Sequence, residues 1–235
     1  MNIQRSNPDK EKVYLNPQVV DSYDKRLYFG RSGGRFYEEE VKMIVDWFPE
    51  KGKILDIPCG TGKLALLLKN KPNLELIGCD ISEKMLEKAA IKKRYNILLK
   101  ENLISLSMPD KSFDMIYVSR FFMLFKDIDP FLKEIRRVLR DDGFLVFDSI
   151  RRSIHNLLHV VQGTVEGWNY PRSTQGITMI LQENGLKVEE RRSHFLISTG
   201  IMNRLPTNIF NCLISTEKIL PESCRVMEFY KVSKS

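Results

Sequence analysis

The sequence is poor in the residues that build disulfide frameworks and metal sites. It contains four cysteines, with no CxxC pair, and three histidines among 235 residues. Disulfide-stabilised folds and zinc modules need closely spaced sets of these residues, so we expect free, buried thiols. His155 and His159 share a face of a predicted helix at i and i+4, but no third ligand lies near them in the sequence. We therefore expect no metal site.

Long apolar runs are missing too. No run approaches the ~20 residues that span a membrane, and residues 1–12 lack the apolar stretch of a signal peptide. These absences predict a cytoplasmic protein without a membrane span. The net charge is +7, but the basic residues are dispersed, and aromatic residues do not alternate with them as in a nucleic-acid stacking platform. The composition does not favour a nucleic-acid partner.

A glycine turn between a strand and a helix, at residues 53–65, is the strongest local signal that is present. The mostly apolar run 54–57 predicts a strand that is buried on both faces. Gly60 and Gly62 allow the backbone to turn sharply and to approach a ligand closely. Thr61 is placed to cap the following helix, whose first N–H groups would face the ligand.

The next predicted strand, 74–79, leads into an acidic residue. Asp80 lies 24 residues after Asp56. In Rossmann-like units, an acidic residue about 20 residues beyond a glycine-rich turn holds a ribose. The turn and Asp80 together predict a cofactor that contains a nucleoside.

Predicted strands and helices alternate from residue 53 onward. This pattern predicts an α/β, Rossmann-like fold, in which a mostly parallel sheet has helices on both faces. Ser82 is a predicted N-cap, and the run Asp141-Asp142-Gly143 is predicted to end a helix before the fifth strand. The predicted strands are 53–57, 74–79, 96–101, 113–118, 144–149, 186–195 and 223–232, and the predicted helices are 38–47, 61–70, 82–94, 129–140, 151–172 and 173–184.

The chain is expected to divide after residue 52. Residues 1–52 are a candidate helical lid, because aromatic residues and glycines are concentrated in them; the alternative is an N-terminal helix packed on the core. Residues 53–235 form the α/β domain. Within it, 151–172 and 196–222 are candidate helical caps, and the alternative for 196–222 is an elaborated edge of the sheet.

Four motifs occur in order, at 54–62, 78–85, 106–114 and 131–143. With these spacings the sequence resembles the class I S-adenosylmethionine-dependent methyltransferases, especially the small-molecule type that includes quinone-biosynthesis methyltransferases. The resemblance covers roughly residues 20–150. It implies a seven-stranded sheet whose last strand, here 223–232, is antiparallel.

The resemblance implies S-adenosyl-L-methionine as the cofactor. The glycine turn would lie at its methionine part, Asp80 at its ribose hydroxyls, and Ile81 and Met85 near its adenine. The third strand usually ends in a carboxylate that meets the adenine amino group, but this chain has Asn102 there, followed by the backbone N–H of Leu103. The implied cofactor-binding residues are Tyr23, Asp56, Pro58, Cys59, Gly60, Thr61, Gly62, Asp80, Ile81, Met85, Asn102, Leu103, Ser119 and Phe121.

The resemblance assigns no catalytic residue. Many relatives carry a histidine about ten residues before Glu134, where this chain has Leu124. A base is needed only when the attacking group of the substrate arrives protonated. The candidate bases in this chain, none of which lies in a motif, are Tyr28, His155, His159, Tyr170 and His194.

The sequence therefore predicts methyl transfer to a small, partly hydrophobic molecule. A nicotinamide-dependent oxidoreductase remains open, because Gly60-x-Gly62-x-x-Ala65 fits the loose dinucleotide fingerprint. An RNA methyltransferase is a second alternative, because the net charge is +7. A third alternative is a cofactor-binding partner protein without catalytic activity, because the histidine found in many relatives is missing. A homodimer is a further open alternative.

Overall fold

The computed structural model describes residues 16, 18, 20, 23, 24, 34–152, 170–197, 199–202 and 204–235. The predictions for residues 1–12, for Tyr28 and for the helix that carries His155 and His159 lie outside the described residues. In the part of the chain that the structure describes, no helix is long and apolar enough to cross a membrane.

A seven-stranded sheet in the order β3-β2-β1-β4-β5-β7-β6 forms the centre of the described chain. Neighbouring strands from β3 to β5 are parallel, whereas β7 pairs antiparallel with both β5 and β6. The predicted sheet with an antiparallel last strand is confirmed. The strands are β1 (Gly52–Asp56), β2 (Leu74–Asp80), β3 (Ile97–Lys100), β4 (Phe113–Val118), β5 (Leu139–Ile150), β6 (Leu186–His194) and β7 (Met227–Lys234).

Helices flank the sheet, and most of them lie between the strands as the alternating pattern predicts. In the described ranges they are α1 (Arg35–Ile44), α2 (Lys63–Leu67), α3 (Glu83–Ala90), α4 (Asp129–Val138), α5 (Thr174–Glu183), α6 (Thr199–Met202) and α7 (Thr207–Glu217). Single 3₁₀ turns occupy Val45–Trp47, Phe122–Leu124 and Glu222–Cys224.

The two faces of the sheet bury two separate apolar cores. Leu55 and Ile116 belong to the core that α4 and α5 cover, while their neighbours Ile54 and Met115 belong to the core that α1 and α2 cover. Successive side chains of a strand point to opposite faces, so both faces need apolar residues. This is why the central strands read as continuous apolar runs.

The described part of segment 196–222, a candidate cap, packs in the second of these cores. Met202 at the end of α6 and Phe210 in α7 are fully buried and share that core with Phe36 of α1. Their burial explains the apolar composition of this segment by packing.

Two local predictions are wrong. Thr61 does not cap α2, because this helix starts after Gly62 and the Thr61 hydroxyl donates instead to the carboxylate of Asp24. Ser82 does stand at the N-cap position of α3, as predicted, with Glu83 in the first turn, although its side chain makes no capping hydrogen bond. The run Asp141-Asp142-Gly143 lies inside β5, where a shift in the pairing with β4 accommodates the extra residues.

Gly143 explains why that irregular pairing is possible. A Cβ atom at this position would lie 3.0 Å from the backbone oxygens of Phe113 and Asp114 in β4. The close approach of the two backbones therefore favours glycine.

Candidate functional site

A pocket lies at the carboxyl ends of β1, β2 and β4. The strand order changes direction between β1 and β4, and open α/β sheets bind ligands at such a switch point. The empty space, which includes open solvent, is about 1180 Å³. The lining residues are Tyr23, Asp56, Ile57, Pro58, Cys59, Gly60, Thr61, Lys63, Leu64, Asp80, Ile81, Met85, Glu101, Asn102, Leu103, Ile104, Tyr117, Ser119, Arg120, Phe121, Leu124, Phe125 and Phe131.

The structure brings together every residue of the predicted cofactor set except Gly62. Both glycines of the turn have positive φ, +53° at Gly60 and +84° at Gly62. The position of a Cβ atom at Gly60 is open space, whereas at Gly62 it would lie 3.0 Å from the Cα atom of Ala89 in α3. Gly60 therefore keeps the pocket open, and Gly62 allows the turn to pack on a helix.

Asp80 holds the glycine turn in place. Its Oδ2 accepts a hydrogen bond from the Gly60 N–H at 2.9 Å, and its Oδ1 accepts one from the Ser82 N–H at 2.9 Å. Burial raises the pKa of Asp80, although these backbone donors oppose the rise. Since carboxylate oxygens can each accept more than one hydrogen bond, Asp80 can shape the turn and still bind a ligand hydroxyl.

Asp56, at the end of β1, is a buried acid in the pocket wall. It is 2% exposed, and burial raises its pKa to about 8. The hydroxyl of Tyr95 donates to its Oδ2 at 2.5 Å and opposes that rise. Burial therefore favours the neutral, protonated form of Asp56, and a cationic ligand would favour its ionisation.

Another part of the wall is formed by Lys63 and Arg120, which belong to a buried cluster of two acids and two cations. Glu40 of α1, which is 2% exposed, accepts hydrogen bonds from Lys63 of α2 and from Arg120, which follows β4. Asp148 of β5 lies 3.1 Å from the Arg120 Nε and accepts the Arg120 backbone N–H at 2.6 Å. The cluster ties α1 to both loops of the pocket.

The charges of this cluster balance one another. Burial acts to raise the pKa of Glu40, but Arg120 and Lys63 hold it below the usual value. Burial raises the pKa of Asp148 despite Arg120, and burial lowers the pKa of Lys63 despite Glu40. Isolated charges are costly to bury, so the four groups depend on one another. The sequence analysis did not predict this cluster. The signal that was available for it is Asp148, an acid inside the apolar strand β5.

The turn after β3 is held by its own side chains. Asn102 Oδ1 accepts the Ile104 N–H at 3.1 Å, so this oxygen is already engaged in the turn. Glu101, which the sequence did not single out, also lines the pocket and accepts the Ser107 hydroxyl. Either side chain is placed to accept from a ligand amino group at this end.

Aromatic side chains form the apolar end of the pocket. Phe121 lies 4.7 Å from Phe125 and 5.0 Å from Phe131, measured between ring centroids, and all three line the pocket. Phe122 is fully buried in the core and does not line it.

Two candidate bases lie in described parts of the chain, and neither lines the pocket. His194 is buried, with its Nδ1 2.5 Å from Glu217 Oε1, and Tyr170 donates its backbone N–H to Met123. No catalytic base is identified in the described ranges.

Known proteins match the segment that builds the pocket. The family described as "Methyltransferase domain" matches residues 55–147. A demethylmenaquinone methyltransferase of Thermotoga maritima is 37% identical over 141 residues, which are 58% of this chain and 60% of that protein. An uncharacterized protein of Methanocaldococcus jannaschii is 30% identical over 74% of this chain and 67% of its own length. The chain thus spans about 60% of the demethylmenaquinone relative.

A solved structure reproduces the fold over nearly the whole chain. Magnesium protoporphyrin IX methyltransferase of Synechocystis, with bound SAH, superposes with a TM-score of 0.69 at 16% identity, covering 97% of this chain and all of that one. At this identity the likeness establishes the fold alone. Because the family match covers the glycine turn and the strands around it, and the fold agrees, the segment 55–147 is a methyltransferase domain of the class I, S-adenosylmethionine-dependent type.

Proposed function

We propose that the protein transfers a methyl group from S-adenosylmethionine to a small, partly hydrophobic molecule. The convergence of the family-matched strand ends on one pocket, lined by almost all of the predicted cofactor residues, carries the proposal. The cofactor supplies a methyl group on a sulfonium centre, which is open to attack by a nucleophile of the substrate.

The residues present fit this cofactor. Asp80 is positioned to accept ribose hydroxyls, in addition to the two backbone N–H groups that it binds. Gly60 leaves open space above the turn for the methionine part, and Asp56 offers it a buried carboxylate. Ile81, Met85 and Leu103 provide an apolar surface for the adenine.

The remaining residues of the pocket bind and align the substrate. Phe121 and Phe125 exclude water from one end, and alignment of two reactants can supply about 7–11 kcal/mol of rate enhancement. Lys63 and Arg120 are neutralised by Glu40 and Asp148. This balance favours an uncharged acceptor, and the demethylmenaquinone named for a relative supports a quinone-like compound.

We also propose that residues 1–52 act as a lid. Tyr23 lines the pocket, and Asp24 accepts the hydroxyl of Thr61 in the glycine turn. These contacts support closure of the N-terminal segment over the ligand.

Titration with S-adenosylhomocysteine and NADH in parallel tests the cofactor class. We expect saturable binding of S-adenosylhomocysteine alone; binding of NADH alone would overturn the proposal in favour of an oxidoreductase. Transfer of label from methyl-labelled S-adenosylmethionine to demethylated quinones tests the substrate class. Transfer only to RNA would overturn it.

A further inference from the structure

We infer that Tyr95, which precedes β3, is a positioning residue for the cofactor: its hydroxyl fixes the Asp56 carboxylate as the acceptor for the ammonium group of the methionine part. Tyr95 does not itself line the pocket, so it acts through Asp56. The inference rests on the proposed function, because it requires a cofactor that carries an ammonium group beside the glycine turn.

Gly78 allows Tyr95 to reach Asp56. In the parallel pairing of β1 with β2, Gly78 lies directly beside Asp56. A Cβ atom at Gly78 would lie 2.7 Å from Cε1 of Tyr95, so the phenol ring occupies the space that a side chain on β2 would fill. The ring passes over the glycine, and its hydroxyl donates to Asp56 Oδ2 at 2.5 Å.

The residues on either side of Tyr95 anchor its backbone. Asn96 donates its N–H to the Leu76 carbonyl at 2.8 Å, and its side-chain oxygen accepts the Leu76 N–H at 2.7 Å. Arg94 donates from Nε to the Leu68 carbonyl at 2.9 Å. A hydroxyl on a residue whose neighbours are anchored can orient its partner with little loss of side-chain entropy when the ligand binds.

Several titratable groups face Asp56. Burial raises its pKa to about 8, the Tyr95 hydrogen bond lowers it, Asp80 raises it and Lys63 lowers it. Burial and the Asp56 charge raise the pKa of Tyr95 well above its usual value, so the proton stays on the phenol. The other neighbours, which burial keeps neutral, are Tyr37, Cys59, Cys79 and Tyr117.

The affinity for a ligand with an ammonium group should depend on pH. An ammonium ligand binds the ionised carboxylate, so binding below about pH 8 releases a proton from Asp56, and affinity rises as the pH approaches that value. Without the Tyr95 hydroxyl, the pKa of Asp56 rises further. The loss of affinity is then larger at low pH than at high pH.

The test is calorimetric titration of wild type and Tyr95→Phe with S-adenosylhomocysteine, at about pH 6.5 and pH 8.5. Pairs of buffers that differ in ionisation enthalpy count the protons released. We expect Tyr95→Phe to bind about tenfold more weakly at the lower pH, the size of a lost hydrogen bond to a charged group, and to lose less at the higher pH.

Tyr230→Phe is the matched control. It removes another buried hydroxyl, which donates to Glu228 Oε2 at 2.5 Å outside the pocket. We expect its affinity and proton release to equal those of wild type at both pH values.

Three results would overturn the inference alone while wild type still binds S-adenosylhomocysteine. They are unchanged affinity in Tyr95→Phe, an equal loss at both pH values, and no proton release by wild type at about pH 6.5. The last measurement tests only whether Asp56 ionises on binding. Gly78→Ala, whose Cβ atom would displace the Tyr95 ring, tests the tyrosine if Tyr95→Phe fails to fold, and unchanged affinity in that variant would also overturn the inference. Absence of binding to wild type would overturn the proposed function as well.

Discussion

The two walls of the pocket differ in the partners that their buried acids have. At the β1–β2 wall, Asp56 and Asp80 are acids whose partners are a phenol and backbone N–H groups, so no bonded cation balances the negative charge that either acid carries when it is ionised. At the wall that Lys63 and Arg120 line, Glu40 and Asp148 bind these two cations, and the charges cancel. The first wall suits a cationic ligand, and the second suits a neutral one.

Removing one acid of the charge-balanced cluster should have the largest effect, and this effect is on stability. Glu40→Gln leaves Lys63 and Arg120 buried without one of their acids, and removing one partner of a buried ion pair costs about 3–5 kcal/mol. We expect the free energy of unfolding to fall by about that amount in chemical denaturation. Glu38→Gln, at an exposed position of the same helix, is the control; equal stability of the two variants would show that the cluster does not stabilise the fold.

The two glycines of the turn should separate packing from binding. Gly62→Ala places a Cβ atom 3.0 Å from Ala89 at a φ of +84°, and we expect a loss of about 1–3 kcal/mol in stability. Gly60→Ala faces open space and should weaken S-adenosylhomocysteine binding more than it lowers stability. Thermal unfolding and calorimetry measure the two effects; the reverse pattern would contradict the assignment of the glycines.

Removing Asp80 from the β1–β2 wall should weaken binding of the cofactor. Asp80→Ala deletes the acceptor of ribose hydroxyls and the acceptor of the Gly60 N–H. We expect S-adenosylhomocysteine to bind at least about tenfold more weakly, corresponding to about 1.4 kcal/mol. Asp142→Ala, at an exposed carboxylate in β5, is the control. Unchanged affinity in Asp80→Ala would reject its role in binding ribose.

A further expected effect is a dependence of stability on pH. The pKa of Asp56 is raised in the folded protein to about 8, so its contribution is present in full below the unfolded pKa and is lost as the pH rises to about 8. Without ligand, the slope amounts to at most about 1.4 kcal/mol per pH unit. Asp56→Asn should flatten the curve of melting temperature between about pH 5 and pH 8. An unchanged curve would show that Asp56 is ionised throughout.

Much of the site follows from local sequence. The glycine turn and Asp80 are recognisable because turn geometry and the end of a strand depend on neighbouring residues, and they lie where these signals place them. The strand β4 matches its predicted bounds, 113–118. The failure of Thr61 to cap α2 was not predictable from local sequence, because its hydroxyl binds Asp24, 37 residues away.

The sequence by itself determined the alternating α/β pattern, the glycine turn and the acids at the strand ends, since each depends on local spacing. Only the tertiary structure decided which side chains the buried acids meet. Tyr95 meets Asp56 from 39 residues away, and Glu40 meets Arg120 from 80 residues away. Such pairs depend on which strands are neighbours and on where a glycine leaves room for another side chain, and neither property is encoded within a short stretch of chain.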